Sequence, residues 1–489
     1  MNKLLHTPTD DLPQVLAEID AWKWPRSDLN SWTKVLNKFD VVLEEIIRDY
    51  ELDKLQLNVF TPITKKTICS ILRFERLLLE NATNRKMFNS YDVGFIRCFR
   101  LSAYVSNFQR LHGLLFSSDL DVVILALNVL LRPAQQYSAQ PSVSQSLSIS
   151  TQRLQSLAKK WPSLREYGIG LVDLSSPKGN PEVNALPTEA REVNFSFYKT
   201  DNGPDYDKDK NMDTDVLDTS SSSPRKVFVA PTVSGSGAIH IHLDEQALAS
   251  RSVMDVLADT IETYSVPDDE KFELMCRIRA AKVLVNGQEA ERVKLVIIRL
   301  LAIAIFGHTH PESDATTSLF LYEPDLIAHI AELLQIDKGV PIRVQTTAIS
   351  ALDSLAHYRA KNQEVLTAVN AGVNHGILMA LFRKTVADVA DPASTLPQSF
   401  IDALMSFVTF MSTHASGGNM VVGAGLIPLL IQMIDNKIPN RLPVVSKTMQ
   451  LVDSVLYSFT NAFNIFCTSH GVEALVNRIE VYHLFTETD

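Results

Sequence analysis

Two pairs of histidines have a spacing at which both rings of a pair could bind one metal ion. His240 and His242 share one face of the alternating segment AIHIHL, and His308 and His310 follow a glycine. A protein zinc site needs three or four ligands in tetrahedral geometry. No acid or thiol near either pair has the spacing to complete such a set. We therefore expect structural histidines and no metal site.

Aspartates in the middle of the chain have the spacing that opens a calcium-binding loop. Asp205, Asp207 and Asp209 alternate, but the glycine in mid-loop and the closing glutamate that an EF-hand requires are missing. We expect no calcium binding here. The serines Ser220 to Ser223, which precede Pro224, raise the separate hypothesis of a phosphorylation site.

The nucleophiles and phosphate-binding motifs of common enzyme classes are also missing. Cys69, Cys98, Cys276 and Cys467 lie apart in apolar segments, which is typical of buried free thiols in a reducing compartment. The chain has no GxGxxG after a strand and no Walker, HExxH or GxSxG motif. From the residues alone we predict no catalytic, cofactor-binding or metal-binding residue.

Composition narrows the class of protein further. The chain has 489 residues, so it is too long for one ordinary hydrophobic core. Its formal net charge is -10, and 46% of its residues are hydrophobic. The negative charge does not favour a nucleic-acid partner. The start of the chain lacks the apolar core of a signal peptide, and the apolar run Leu295 to Phe306 is too short to cross a bilayer. We predict a cytoplasmic and/or nuclear protein without a membrane partner.

The elements that would position any site are amphipathic helices. Apolar residues recur at three- and four-residue intervals, and AIHIHL alternates as one short strand or an extended entry segment does. The predicted helices are Asn30 to Tyr50, Ile63 to Asn81, Val93 to Leu115, Leu120 to Leu131, Arg153 to Trp161, Ser250 to Tyr264, Phe272 to Val285, Gln288 to Phe306, Asp325 to Leu334, Ile342 to His357, Gln363 to Val369 and Ile377 to Thr385.

The segment Phe400 to Asp435 contains one complete unit of this pattern. Its spacing predicts a long helix, a turn at Ser416-Gly417-Gly418, and a second helix that Gly425 opens, with Pro428 in its first turn. Such a unit cannot bury its apolar face alone. It therefore predicts stacked helical layers.

The glycine that opens an apolar helix recurs along the second half of the chain. Gly372, Gly425 and Gly471 stand 53 and 46 residues apart, and the longer step contains the polar insertion Ala387 to Pro397. Armadillo and HEAT arrays have periods of about 40–47 residues. We predict an armadillo-like superhelix, and we expect Val472 to Val481 to present an apolar face to a next repeat that this chain does not contain.

The resulting prediction is an all-α fold, an armadillo/HEAT-like α-solenoid in two helical segments joined by a disordered acidic linker. Residues 1–199 form an N-terminal helical domain and residues 238–489 an armadillo-like repeat domain that continues beyond the chain end. Residues 200–237 are rich in aspartate and serine and have few apolar groups to offset the entropy of ordering. We predict that they form the linker.

The N-terminal segment WKWPRSDLNSWTKVLNKFD resembles the opening of the giant HECT-type E3 ubiquitin-protein ligases of the Tom/Huwe kind. The resemblance continues through residues 114–130, 153–161 and 168–174, and after the linker through IHIHLDEQAL and GGNMVVGAGLIPLLIQMI. The residues that match the opening motif, which we interpret as structural, are Trp24, Asp28, Leu29, Trp32, Leu36, Phe39 and Asp40.

This resemblance implies the N-terminal scaffold and substrate-recruiting region of such a ligase. In that family the HECT domain, with its thioester-forming cysteine, lies at the far C-terminus, and no position here matches a catalytic residue. The implied partners are protein substrates and, through the C-terminal part that this chain lacks, a ubiquitin-charged E2. The alternative is a free-standing armadillo adaptor that binds proteins and has no enzymatic activity.

Overall fold

The computed structural model describes residues 2–18, 32–50, 60–84, 111, 113–137, 151–159, 191–198, 238–287, 289–309, 318–321 and 323–486. Within these residues the main elements are α-helices, with short 3₁₀ turns at Thr9–Asp11, Ile336–Lys338 and Pro439–Arg441. The helices are α1 Asn2–His6, α2 Leu12–Ala17, α3 Thr33–Asp49, α4 Pro62–Asn84, α5 Leu120–Tyr137, α6 Thr151–Ala158, α7 Glu245–Ala249, α8 Val253–Tyr264, α9 Asp268–Val285, α10 Glu289–Thr309, α11 Leu326–Glu332, α12 Ile342–Ala356, α13 Asn362–Ala368, α14 Ile377–Ala390, α15 Gln398–Thr413, α16 Ala415–Gly423, α17 Leu426–Ile434, α18 Leu442–Ser458, α19 Thr460–Thr468 and α20 Gly471–Thr486.

The all-α prediction is confirmed, with one small addition. Strand β1, Val193–Tyr198, pairs antiparallel with β2, Ala238–Leu243, so that Val193 lies opposite Leu243 and Tyr198 opposite Ala238. The segment AIHIHL is therefore a strand, as its alternation indicates. Its partner was not predicted, although VNFSFY alternates in the same way. The predicted linker between the two strands lies outside the described residues.

Five helices form a row that begins with α5 of the first segment and continues through the second half of the chain. Helix α10 packs between α5 and α12, α12 between α10 and α15, and α15 between α12 and α18. In α10 every residue from 295 to 309 is buried, because this helix is covered on all sides. A second row runs from α14 through α17 to α20. Both rows end at the C-terminal helices.

Residues on both sides of the predicted linker share one hydrophobic core. Helix α10 contacts α5 and α6 of the first segment, and the rings of Phe116 and Phe272 meet edge to face with centroids 4.8 Å apart. Arg279 donates from Nη2 to the carbonyl oxygen of Ser117 at 2.9 Å. The proposed domain boundaries remain a prediction.

Side-chain hydrogen bonds join successive helical layers at a recurring distance along the chain. They connect residues 50, 47, 47 and 42 positions apart. This spacing is close to the armadillo and HEAT period and supports the superhelix, which remains a prediction. The bonds run from Asn374 to the carbonyl oxygen of Ala424, from Asn436 to that of Val389, from Arg441 to that of Ser394, and from Arg478 to that of Asn436.

The predicted turn at Ser416-Gly417-Gly418 is wrong, because these residues lie in the first turn of α16. The helical structure is interrupted instead at His414, whose backbone is extended (φ -101°, ψ 133°) between α15 and α16. The second helix of this unit is as predicted. Gly425 precedes α17 with φ +100°, a left-handed conformation that favours glycine.

No individual helix in the described ranges has the length and apolar composition needed to cross a membrane. Helices α16 and α17 meet that criterion only as a pair, which is bent by 75° at their junction.

Candidate interaction surface

The described residues of the N-terminal motif lie in a packed helical interface. The indole of Trp32, which precedes α3, and the ring of Phe39 both contact Phe74 of α4, with centroids 5.5 and 5.6 Å apart. Leu36 and Asp40 on α3 are also buried. Trp24, Asp28 and Leu29 lie outside the described residues. The structural interpretation of this motif stays a prediction.

The histidines of the AIHIHL segment bind partners on the neighbouring strand. Nδ1 of His240 lies 2.7 Å from Oγ of Ser196, and Nδ1 of His242 lies 2.8 Å from Oδ1 of Asn194. His310 and the aspartates at 205, 207 and 209 lie outside the described residues. In the part of the chain that the structure describes, no group of three His, Cys, Asp or Glu side chains could hold a metal ion.

The described cysteines are free thiols, two of them buried. Burial raises the pKa of Cys69, and it raises the pKa of Cys276 to about 12. Since the thiolate is the nucleophile, both side chains are unreactive at neutral pH. Cys467 is exposed, and Cys98 lies outside the described residues.

Three side chains that bond to one another, Arg299, Glu323 and His329, fix the start of α11 against α10. Arg299 donates from Nη2 to Oε2 of Glu323 at 2.5 Å, and Nδ1 of His329 lies 2.6 Å from the other carboxylate oxygen. Burial by itself would raise the pKa of Glu323, but the charge of Arg299 and the bonds to both partners outweigh burial and lower it. This arrangement fixes the position of α11 against α10.

Histidines also stand at the C-terminal ends of three successive helices in the first row. The ring of His308 on α10 meets that of His357, which follows α12, at 5.0 Å between centroids. His357 stacks on Phe410 of α15 at 3.7 Å, and Phe410 in turn meets His414 at 5.0 Å. These rings connect the ends of neighbouring helices and so help to set their spacing.

The exposed apolar side chains with the clearest arrangement lie on the last three helices. We call this set the C-terminal apolar face. Its members are Tyr457 on α18 (94% exposed), Phe463 on α19 (53%), and Val472, Val476 and Ile479 on α20 (50%, 49% and 56%).

The C-terminal apolar face is the outer edge of the helical rows. On α20 its members recur at four- and three-residue steps, so they share one side of the helix. The other side packs on α17 and α19 through the buried Ala474 and through Arg478, which donates to the carbonyl oxygen of Asn436 at 2.7 Å. Earlier helices of each row are covered by the next helix. An exposed apolar edge of this kind marks a protein-interaction surface.

The sequence indicated part of this face. The apolar stripe of Val472 to Val481 was predicted to await a further layer, and its first residues are exposed in the structure. The sequence does not predict the exposure of Tyr457 and Phe463, because helical periodicity does not reveal which side chains the neighbouring helices leave uncovered.

Comparison with known proteins identifies relatives along the whole chain. Residues 97–387 match the family DUF908, a domain of unknown function. The chain is 25% identical over 492 aligned residues to the E3 ubiquitin-protein ligase UPL1 of Arabidopsis thaliana, and 26% identical over 469 to the ligase ptr1 of Schizosaccharomyces pombe. It is 24% identical over 491 residues to the E3 ubiquitin-protein ligase HUWE1 of Mus musculus.

These alignments cover 100%, 94% and 98% of this chain but only 12%, 13% and 10% of the relatives. The resemblance to the N-terminal region of giant HECT-type ligases is thus confirmed. A crystal structure of an engineered protein covers 96% of the chain, but its TM-score of 0.26 is too low to support any statement about this fold. Because the family match spans more than half of its residues, the chain belongs to the DUF908 family.

Proposed function

We propose that this chain is a scaffold and substrate-recruiting region of a HECT-type E3 ubiquitin-protein ligase and does not itself transfer ubiquitin. The observation that carries the proposal is the alignment of nearly the whole chain with proteins named as ubiquitin-protein ligases. These relatives are eight to ten times longer than the aligned part. Catalysis then belongs to a part of the protein that these residues do not include.

The arrangement of helices supports a scaffold in particular. Rows of helices that add one layer after another build extended surfaces to which other proteins bind. We propose that the C-terminal apolar face seats the next helical layer of the same polypeptide. Protein substrates would bind along the rows, and a ubiquitin-charged E2 would bind the catalytic part. The buried thiols of Cys69 and Cys276 support a reducing location, the cytoplasm and/or the nucleus.

A ubiquitin-transfer assay tests this proposal. We expect the full-length protein that contains this chain to accept ubiquitin from a charged E2 as a reductant-sensitive thioester. We expect the isolated chain 1–489 to leave the E2 charged. A full-length protein without residues 1–489 should still form the thioester and should lose ubiquitination of its substrates.

The free-standing adaptor hypothesis makes the opposite forecast. A reading frame that stops after Asp489, or a full-length protein that forms no thioester, would support the adaptor and overturn the ligase proposal. Unchanged substrate ubiquitination after deletion of residues 1–489 would leave the ligase assignment intact and contradict the recruiting role.

A further inference from the structure

A small cavity, partly open to solvent, lies between α6, α9 and α10, where the two halves of the chain meet. Its volume is about 30 Å³, room for roughly two water molecules or one monatomic ion. Three of its lining residues carry a positive charge, which is unusual for a buried cavity. The lining includes Lys159, Arg279, Arg299, Cys276, Ala280 and Ile298.

The carboxylates that neutralise this cluster are each divided between two basic groups. Glu273 accepts from Nζ of Lys159 at 2.8 Å and from Nη2 of Arg277 at 3.4 Å. Glu323 binds Arg299 and also His329. Both carboxylates are thus engaged by other basic groups, and among the described residues neither forms an ion pair with Arg279.

Arg279 is the cation without a carboxylate. It is buried, and Nη2 donates to the carbonyl oxygen of Ser117 at 2.9 Å. In the described ranges no ion pair joins it to an acid. Burial lowers the pKa of Arg279, and the charge of Glu291 offsets this only in part, since Glu291 itself pairs with Lys294. The guanidinium remains charged in any case, because arginine does not deprotonate in proteins.

Arg299 brings an unused hydrogen-bond donor to the same cavity. Its side chain is 4% exposed. Nη2 binds Glu323 and Nε donates to the carbonyl oxygen of Ala158 at 3.2 Å, but the buried Nη1 has no hydrogen-bond partner. A buried donor without a partner costs stability, so a site for an acceptor is expected beside it.

We propose that this cavity binds a small monovalent anion of the halide class, with chloride as the physiological ligand. Arg279 supplies the uncompensated charge and Arg299 the free donor. The neutral thiol of Cys276 cannot supply the missing negative charge, and water carries none. The space of about 30 Å³ suits one monatomic anion. The anion would then join α6 of the first segment to α9 and α10 of the second.

Thermal unfolding of the chain 1–489 in different sodium salts at constant ionic strength tests this site. We expect Tm to rise by a few degrees, saturably, as chloride or bromide replaces gluconate, because a ligand that binds only the folded state stabilises it. Equal Tm in chloride and gluconate at all concentrations would overturn the proposal.

Two variants and a matched control assign the effect to this cavity. Arg279→Met removes the charge at similar volume, and Ala280→Val fills the space without touching a charged group. We expect both to lose the dependence of Tm on chloride. Arg383→Gln, at an exposed arginine that bonds Asn374, should keep it. If Arg279→Met does not fold, Ala280→Val decides alone: an undiminished chloride effect in Ala280→Val contradicts the site.

Discussion

At the scale of single residues, His308 and Asp353 form a buried contact in which the two pKa shifts have opposite effects on the pH dependence of stability. Nε2 of His308 lies 3.9 Å from Oδ2 of Asp353, and neither His308 Nε2 nor Asp353 Oδ1 has a hydrogen-bond partner. Burial lowers the pKa of His308 to about 3 and raises the pKa of Asp353 to about 7. Between about pH 3 and pH 7 both groups are therefore neutral.

The signs of these shifts predict how stability depends on pH. The pKa of Asp353 is raised on folding, so its contribution is present below about pH 4 and is lost as the pH rises to 7. The pKa of His308 is lowered, so its contribution is present above about pH 6.5 and is lost as the pH falls to 3. Between about pH 4 and 6.5 the two slopes cancel.

Asp353→Asn should reveal the contribution of His308 to the pH dependence of stability, because it removes the opposing contribution of the carboxyl group. We expect the free energy of unfolding of this variant, taken relative to wild type, to fall by about 1.4 kcal/mol per pH unit as the pH falls from about 6.5 to 4. Above pH 7 the variant should be more stable than wild type, because it buries no carboxylate. Urea denaturation across this pH range measures both effects.

The matched control for this variant is Asp435→Asn, at an exposed aspartate that follows α17. Its stability curve should run parallel to that of wild type. Parallel curves for Asp353→Asn and wild type would show that the buried carboxyl does not titrate as stated.

At the scale of elements, glycines in α16 serve close packing between helices. A Cβ atom on Gly418 would lie 2.0 Å from Cζ of Phe459, which precedes α19, and one on Gly417 would lie 2.4 Å from the carbonyl oxygen of Met411. A Cβ on Gly423, at the end of the same helix, would meet nothing within 4 Å. Only the first two positions therefore require glycine.

Gly418→Ala should destabilise the protein by about 1–3 kcal/mol, the usual cost of forcing an extra atom into a packed core. Gly423→Ala, in the same helix, should be neutral or stabilising by up to about 1 kcal/mol, because alanine favours helix. Chemical denaturation measures both. Phe459→Ala in the Gly418→Ala background should remove much of the additional cost, and failure to do so would contradict the steric explanation.

These glycines also show what the sequence could and could not predict about the elements. The sequence identifies Gly425 as the start of a helix because a glycine before an apolar run is a local signal. The sequence wrongly predicts a turn at Gly417 and Gly418, because the ring that excludes a side chain at Gly418 belongs to a residue 41 positions further on. Strand β1 was missed for a similar reason: its partner begins 40 positions after it ends. Helical periodicity is local, so helix positions were predictable and contacts between helices were not.

At the scale of the whole molecule, the two segments that flank the predicted linker pack as one body along α10. We expect that cutting the chain at a protease site inserted within residues 200–237 leaves both fragments associated. Gel filtration should give one peak, and thermal unfolding one transition. Phe272→Ala should weaken the association, because its ring meets Phe116 across the junction. Phe463→Ala, at an exposed ring, should leave it unchanged, and separation of the wild-type fragments would contradict the shared core.

The C-terminal apolar face leads to a prediction about the protein beyond this chain. Val476 and Ile479 are about half exposed, so changing both to glutamate should alter the stability of the isolated chain by less than about 1 kcal/mol. If the next helical layer covers them in the full-length protein, the same change buries two unpaired charges and should prevent docking. In the full-length variant, hydrogen–deuterium exchange of α20 should then rise to the level that α20 shows in the isolated chain.

The control is Ile63→Glu on α4, which replaces an isoleucine of similar exposure (61%) far along the chain from this face. It should leave the exchange of α20 unchanged in both proteins. Equal protection of α20 in the full-length protein and in the isolated chain would contradict docking of a further layer. The face would instead belong to an interface with a second copy if two results were obtained together. The isolated chain would form a concentration-dependent dimer that the Val476→Glu/Ile479→Glu variant abolishes, and α20 would be unprotected in the full-length protein.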